Sequence, residues 1–257
     1  MISAIVRRPS PAMAQGQRTH LDRAPIDGDL ALVQHDAYVA ALAAADAQVT
    51  ILAGDAALPD CAFVEDCAVI LPELALVCRM GAPARRLESP VVASALPGDR
   101  PSLVLAGEMD GGDVLVVGRR IFVGRSSRTS PEGIAALEAA VAPHGYQVIP
   151  VPVAGALHLK TAVTALDAQT LLLNPAWVAA DAFPGFRILA IDPAEPFAGN
   201  TLTVGDQLIV QAETPRTAAI LAGAGYAPHP VAISEFAKAE AGLTCLSLIF
   251  AAKSVII

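Results

Sequence analysis

The sequence contains no apolar run of the ~18 residues that a membrane-spanning helix requires, so a bilayer span is not expected. No cluster of basic residues exceeds a pair or so of arginines, and the chain carries 17 Lys+Arg against 25 Asp+Glu, a net charge of −8. A nucleic-acid footprint is therefore missing. The four cysteines, Cys61, Cys67, Cys78 and Cys245, have no CxxC spacing and form no dense pattern. That argues against a structural zinc site and a disulfide framework, and a reducing cytoplasm is the expected setting. No linker or low-complexity tract divides the chain, which predicts one domain over residues 1–257. The opening stretch "MISAIVRRPSPAM" has its arginines after the apolar residues, the reverse of a secretory signal. It reads as a first strand followed by a turn.

What the chain does have is apolar mass and a repeat. Hydrophobic residues make up 54%, enough for a sizeable core. Five stretches share one layout, in which a polar group precedes a strand, a turn and a second apolar strand. They are "EDCAVILPELALVCRMG" from Glu65, "DGGDVLVVGRRIFVGRS" from Asp110, "HLKTAVTALDAQTLLLN" from His158, "NTLTVGDQLIVQAETP" from Asn200 and "CLSLIFAAKSVII" from Cys245. The last could continue its sheet with "ISAIVRR" from the N-terminus. Recurrence every 42–48 residues is the signature of a repeat architecture.

Helical patterns lie between the hairpins. In "TSPEGIAALEAAVAPHG", Thr129 and Glu132 fit a capping box, Pro131 suits the first turn, and Pro143 with Gly145 ends the helix. "GDLALVQHDAYVAALAAADA", with Asp29 as its cap, and "TPRTAAILAGAGY" are further helices. Alternating strands and helices predict an α/β fold. Such a period is often a propeller or a solenoid, and five such units can close in a ring with the first polar residue of each pointing towards the centre. Glu65/Asp66, Asp110/Asp113, His158, Asn200 and Cys245 would then converge on one axis.

Taken alone, Cys245 fits core packing, because free cysteine is among the most buried residue types. Packing does not explain why every unit opens on a polar group. An imidazole and carboxylates in register with a thiol are the components of nucleophilic catalysis. The other histidines, His20, His35, His144 and His229, have no such setting, and His35 reads as helix packing.

The motifs "PDCAFVEDCAVI", "GAPARR", "MDGGDVLVVGRRIFVGRSSRTSPEG", "ALHLKT" and "GLTCLSL" occur in order across nearly the whole chain. Together they resemble the motif series of dimethylarginine dimethylaminohydrolases, members of the guanidine-modifying superfamily that includes arginine deiminases. The resemblance implies a five-unit α/β propeller and a cysteine hydrolase that converts Nω-methylated arginine to citrulline and a methylamine, without metal or organic cofactor. It implies Cys245 as nucleophile through a covalent thiouronium adduct, and His158 as acid and base. Asp66 and Asp110 would bracket the guanidinium, Asp110 also orienting His158, with Glu65 in support beside Asp66. Arg85 and Arg128 would hold the substrate α-carboxylate. Asp60 and the carbonyl of Ala239 would take the α-ammonium. Asp113 reads as a turn residue, and Arg86 as a solvated neighbour of Arg85.

Two positions depart from the family pattern. Gln17 follows Gly16 in the lid segment "AQGQRTH", where a Leu is common, and "EAG" stands before the nucleophile in place of an Asp-Gly pair. Both bear on closure and substrate choice. The expected partner is a small guanidino amino acid. A homodimer is neither required nor excluded by the sequence. Two other readings stand beside the main one: the same chemistry on another guanidine such as free arginine, and a non-catalytic propeller that binds arginine-like ligands.

Overall fold

The computed structural model describes residues 1–251. The strand expected to run on to Ile257 is therefore followed only to Ala251, and residues 252–257 lie outside the described residues. The fold is α/β, as the alternation predicts, and it contains five three-stranded sheets.

The chain begins with β1 (Ile2–Arg7), α1 (Gly28–Ala44) and β2 (Ala47–Leu52). The second sheet is β3 (Ala68–Ile70), β4 (Ala75–Val77) and β5 (Ser102–Val104), with α2 (Glu88–Ala93) before its last strand. The third is β6 (Val114–Val117), β7 (Arg120–Arg125) and β8 (Gln147–Pro152), with α3 (Pro131–Val141) as crossover. A single turn, α4 (Leu159–Ala162), leads into β9 (Val163–Ala165), β10 (Thr170–Leu173) and β11 (Arg187–Ala190). The fifth run is β12 (Leu202–Val204), β13 (Gln207–Gln211), α5 (Pro215–Gly223) and β14 (Pro228–Val231). After α6 (Ser234–Ala237), β15 (Ser247–Ala251) returns to the N-terminus and pairs antiparallel with β1, Ile5 opposite Leu248. The two chain ends thus complete one sheet, as their sequences suggest.

Every sheet follows one rule. An antiparallel pair is extended by a third, parallel strand that arrives through a crossover. Antiparallel neighbours need only a tight turn, whereas a parallel strand needs a longer connection, and this fixes the spacing of the repeat. The middle strands are buried along most of their length, as "TLLL" and "QLIVQ" show, because a crossover covers one face and a neighbouring unit the other. The crossover between β10 and β11 contains a 3-10 turn, Ala180–Ala182, and no α-helix. Pro175, Pro184 and Gly185 punctuate that stretch.

Two helix starts differ from expectation. The N-cap of α1 is Asp27, whose side chain accepts from the N–H groups of Asp29 and Leu30, so Asp29 lies inside the first turn. The N-cap of α3 is Ser130, which accepts from Gly133 N, with Pro131 in the first turn. Thr129 turns inward and donates to Asp113 at 2.7 Å, where a buried carboxylate outcompetes the capping position.

The opening turns of the five units are tied to one another in a closed cycle of hydrogen bonds. Gly112 N donates to Asp66, and Leu159 N donates to Asp113. Asn200 Nδ2 donates to the Lys160 carbonyl, and Thr244 N donates to Asn200 Oδ1. Thr244 Oγ1 donates to Glu65 and returns the cycle to its start. The links are made by residues at or beside the head of each repeat, so the same short turns that open the strands also join the units.

Candidate active site

Each chemical group is delivered by a turn that enters a strand, so its backbone is fixed by the sheet behind it. Asp66 sits in the 3-10 turn Val64–Cys67 that leads into β3. Asp110 precedes the turn Gly111–Asp113 that leads into β6. His158 is the N-cap residue of α4. Cys245 lies in the turn Thr244–Leu246 before β15. All four are buried, His158 at 3% exposure and Cys245 at 7%.

His158 stands between two carboxylates. Its Nε2 is 3.0 Å from Asp110 Oδ2, and its Nδ1 is 3.7 Å from Asp66 Oδ1. Burial works against charging the imidazole, but the Asp66 charge and the Asp110 hydrogen bond outweigh it and push its pKa up to about 9. At neutral pH the ring is therefore an imidazolium. Burial alone would raise the Asp66 carboxyl. The His158 and Arg85 charges, with bonds from Arg85 and Gly112 N, hold it below the usual range. Asp110 is anchored by Gly81 N, which donates to its Oδ1 at 2.8 Å.

Gly112 makes this approach possible. A Cβ there would lie 2.6 Å from Asp66 Oδ1 and 2.7 Å from His158 Nδ1. Asp113 is the anchor beneath, accepting from Ser126, Thr129 and the Leu159 backbone of the next unit. It holds α4, and with it His158, against β6.

The Cys245 thiol is neutral in this setting. Burial pushes it well above the ordinary thiol range and the Glu65 and Asp66 charges add to that, while the Gly242 N–H and Lys160 act in the other direction. Gly242 N lies 3.4 Å from Sγ. The turn that carries the thiol is held from two sides. Tyr38 of α1 donates to the Leu243 carbonyl and bonds the Ser247 hydroxyl. Glu65 holds Thr244 from the other side and pairs with Lys160 at 2.6 Å. Both Glu65 carboxylate oxygens are thus taken by the protein, and its place is a brace behind Asp66 rather than a face towards a ligand.

The residues expected at the α-amino-acid end are spread around residues 16–21, the segment expected to act as a lid. Asp60 Oδ2 accepts from Gln17 N, while its Oδ1 is a buried oxygen without a hydrogen-bond partner among the described residues. Arg128 reaches the lid through Thr19 Oγ1 at 3.1 Å. The Gln17 side chain is exposed. Ala239 is buried at the end of α6, where its N–H bonds the Phe236 carbonyl. Arg85 differs most from expectation. Its Nε and Nη2 bond Glu88, Nη2 also bonds the Phe63 carbonyl, and Nη1 bonds Asp66 at 2.6 Å. This guanidinium is chiefly the counterion of two buried carboxylates. Glu88 belongs to none of the sequence motifs, and its i,i+3 spacing from Arg85 is the one local signal of the pairing. Arg86, expected in solvent, is half-buried and paired with Glu108.

Asp66, Asp110 and His158 also converge closely enough to hold a metal ion. Their partners are already specified: Arg85 and Gly112 on Asp66, Gly81 on Asp110, and an imidazole charged at neutral pH. That arrangement suits a planar organic cation better than a metal, which needs a neutral imidazole.

Comparison with known proteins identifies the family and the fold. The profile of the family described as N,N dimethylarginine dimethylhydrolase, eukaryotic, matches residues 15–172. The N(G),N(G)-dimethylarginine dimethylaminohydrolase of Streptomyces coelicolor is 43% identical over 249 residues, 95% of each chain. A solved structure of the Pseudomonas aeruginosa enzyme, a cysteine-to-serine variant complexed with citrulline, is 32% identical. It superposes with a TM-score of 0.91, covering 97% of this chain and 100% of the other. The N-terminal domain of ArgZ, an arginine dihydrolase from cyanobacteria, matches at a TM-score of 0.82, over 97% of this chain and 98% of the other; at 19% identity it shares the fold. The chain belongs to the dimethylarginine dimethylaminohydrolase family.

Proposed function

We propose that this protein hydrolyses Nω-methylated arginine to citrulline and a methylamine through a covalent adduct on Cys245. The observation that carries the reading is an imidazolium held between two buried carboxylates, in a cycle of turns that also carries the Cys245 thiol beside the Glu65 and Asp66 charges. The units form an α/β propeller, and that cycle is its axis.

The electrostatics define an order of events. A resting thiol is neutral, so a cation must arrive before a thiolate is stable. The guanidinium docks against Asp66 and Asp110, whose carboxylates accept its N–H groups. Its charge lowers the pKa of the thiol, whose proton leaves to solvent. The Cys245 thiolate attacks the guanidinium carbon and a C–S bond forms. His158 gives its proton to the departing amine as the C–N bond breaks, leaving an S-alkylthiouronium. The now neutral imidazole takes a proton from water, the hydroxide oxygen adds to the same carbon, and as the C–S bond breaks the hydroxyl proton passes to solvent, releasing citrulline, the thiolate and a recharged His158. At the other end, Asp60 Oδ1 accepts the α-ammonium, and Arg128, with an Nη1 hydrogen of Arg85, donates to the α-carboxylate.

The test is release of citrulline and of methylamine or dimethylamine in equal amounts from Nω-monomethyl- and asymmetric dimethylarginine, with Cys245→Ser as control. Turnover by wild type and more than ~10³-fold loss in the variant are expected. Turnover by the serine variant at the wild-type rate would remove the nucleophile assignment. Free arginine is the competing substrate, because the polar Gln17 stands in the lid where the family often has Leu. One or two methyl groups are worth only about 1–3 kcal/mol in a pocket, so competition assays decide it. A kcat/KM for arginine above both methylated forms would transfer the same chemistry to that substrate.

A further inference from the structure

Glu240 occupies a position that the reaction scheme leaves without a role. It follows α6, five residues before Cys245, and its φ of 63° is left-handed, a conformation that a side chain with a Cβ adopts only under constraint. It is 8% exposed. A single oxygen, Oε1, accepts from three consecutive backbone N–H groups, those of Thr19, His20 and Leu21, each at 2.7 Å. Three amides converging on one anionic oxygen form a charge-assisted nest. Such a bond fixes the position of a backbone segment, which a single side-chain contact does not.

The segment held in this way joins the groups expected to read the α-amino-acid end of a substrate. On its N-terminal side, Gln17 N donates to Asp60 Oδ2 at 3.0 Å. Within it, Thr19 Oγ1 accepts from Arg128 Nη2. Arg18 and Arg23 close the loop on itself, donating to the carbonyls of Gln17, Ala14 and Gly16. Behind Glu240, the chain continues to Gly242, whose N–H faces Cys245 Sγ. One carboxylate therefore registers the lid against the segment that carries the nucleophile.

We propose that Glu240 is a positioning residue that latches Gln17–Leu21 over Asp60 and Arg128, and so sets how tightly the α-amino-acid end of the substrate is held. The kinetic part of this proposal rests on the hydrolase reading above; the latch itself does not. Glu240 touches the lid backbone and not the guanidine, so its loss acts on binding more than on bond breaking.

Two measurements separate these parts. Trypsin cleavage after Arg18 and Arg23, followed by mass spectrometry on the full chain, reads the latch without any substrate. Glu240→Ala should be cut at least about tenfold faster than wild type, and Glu240→Gln, which keeps an acceptor oxygen but not its charge, should fall between them. Equal cleavage of wild type and Glu240→Ala would overturn the latch. In kinetics, Glu240→Ala should raise KM for Nω-monomethylarginine about 10- to 100-fold with kcat changed far less. Labelling of Cys245 by chloroacetamidine, an amidine with no α-amino-acid end, should not slow. Slowed labelling, or a loss carried by kcat at unchanged KM, would place Glu240 within the reacting centre and overturn the positioning role. If no guanidine is turned over by wild type, the cleavage result still stands or falls by itself.

Discussion

At the scale of single residues, the site is governed by what burial does to charge. A neutral thiol and a charged imidazole are both buried under the influence of carboxylate charges, and each state follows from its neighbours rather than from the residue type. His158 must be protonated to expel an amine, and its pKa is raised to about 9 against the burial that opposes it. The expected pH profile of kcat, which reports the enzyme–substrate complex in which the bound cation has lowered the thiol, therefore rises from acid as thiolate forms and falls again at alkaline pH as His158 loses its proton. Asp110→Asn removes one of the supports of the charged ring, so the alkaline limb should move to lower pH. A limb that stays in place would assign it to another group. Gly112→Ala tests the packing of the same centre. Its Cβ would overlap both Asp66 and His158, and a displacement of about 1 Å in such a constellation costs on the order of 10²-fold in rate. A circular dichroism melt close to that of wild type, with turnover reduced by that amount, is the expected pair of results.

At the scale of elements, what could be read from the sequence depended on the range of the interactions involved. The hairpins were legible because strand, turn and strand are local and their apolar runs reflect burial on both faces. Cys245, His158, Asp66 and Asp110 were legible because each heads such a hairpin. The caps of α1 and α3 were placed one or two residues away, since a cap is decided by which side chain reaches a free N–H, and Thr129 had a better partner in Asp113. Glu240 was not legible, because its partners lie about 220 residues away in sequence. The commitment of Arg85 to Glu88 was hidden for a different reason: a motif names a residue but not its counterion.

Helix α1 shows the same long-range logic, for its buried face carries Gln34, His35 and Tyr38, and Gln34 and Tyr38 bond α6 and the turn of the nucleophile. His35 is fully buried, and burial first, then the Arg8 charge, lower its pKa to about 4. The unfolded chain takes up a proton near pH 6.5 that the folded chain refuses, so stability is full above that value and falls as pH drops towards 4. The loss totals about 3 kcal/mol. His158 acts in another window, since its raised pKa adds stability that is present below pH 6.5 and lost as pH rises through about 9. Urea titrations between pH 6.5 and 5 should therefore show a decline for wild type that His35→Gln flattens. An unchanged slope would remove His35 as its source.

At the scale of the whole molecule, five similar units make one site because none of them completes it. Each sheet supplies a rigid strand entrance, and the cycle from Asp66 through Asp113, Lys160, Asn200 and Thr244 back to Glu65 converts five local turns into one arrangement. The net charge of −8 suits a cationic ligand, which a negative field draws inward. The Glu65–Lys160 ion pair braces this cycle across the ring, and its side chains are 9% and 15% exposed. Burial raises the Glu65 carboxyl, and Lys160 and Thr244 oppose that rise. Lys160→Met would leave a buried carboxylate beside Thr244 without its cation, and breaking one side of such a pair costs about 3–5 kcal/mol. The charge would also stand close to Cys245, so the thiol should become harder to ionise and chloroacetamidine labelling should slow. Glu65→Gln together with Lys160→Met removes both charges while the amide can still accept from Thr244. If the cycle works as one electrostatic unit, the double variant should recover most of the stability and labelling rate lost by Lys160→Met alone. Melting temperature and labelling rate for the three proteins decide it. Additive losses in the double variant would show that Glu65 and Lys160 act separately and that the cycle is no more than the sum of its bonds.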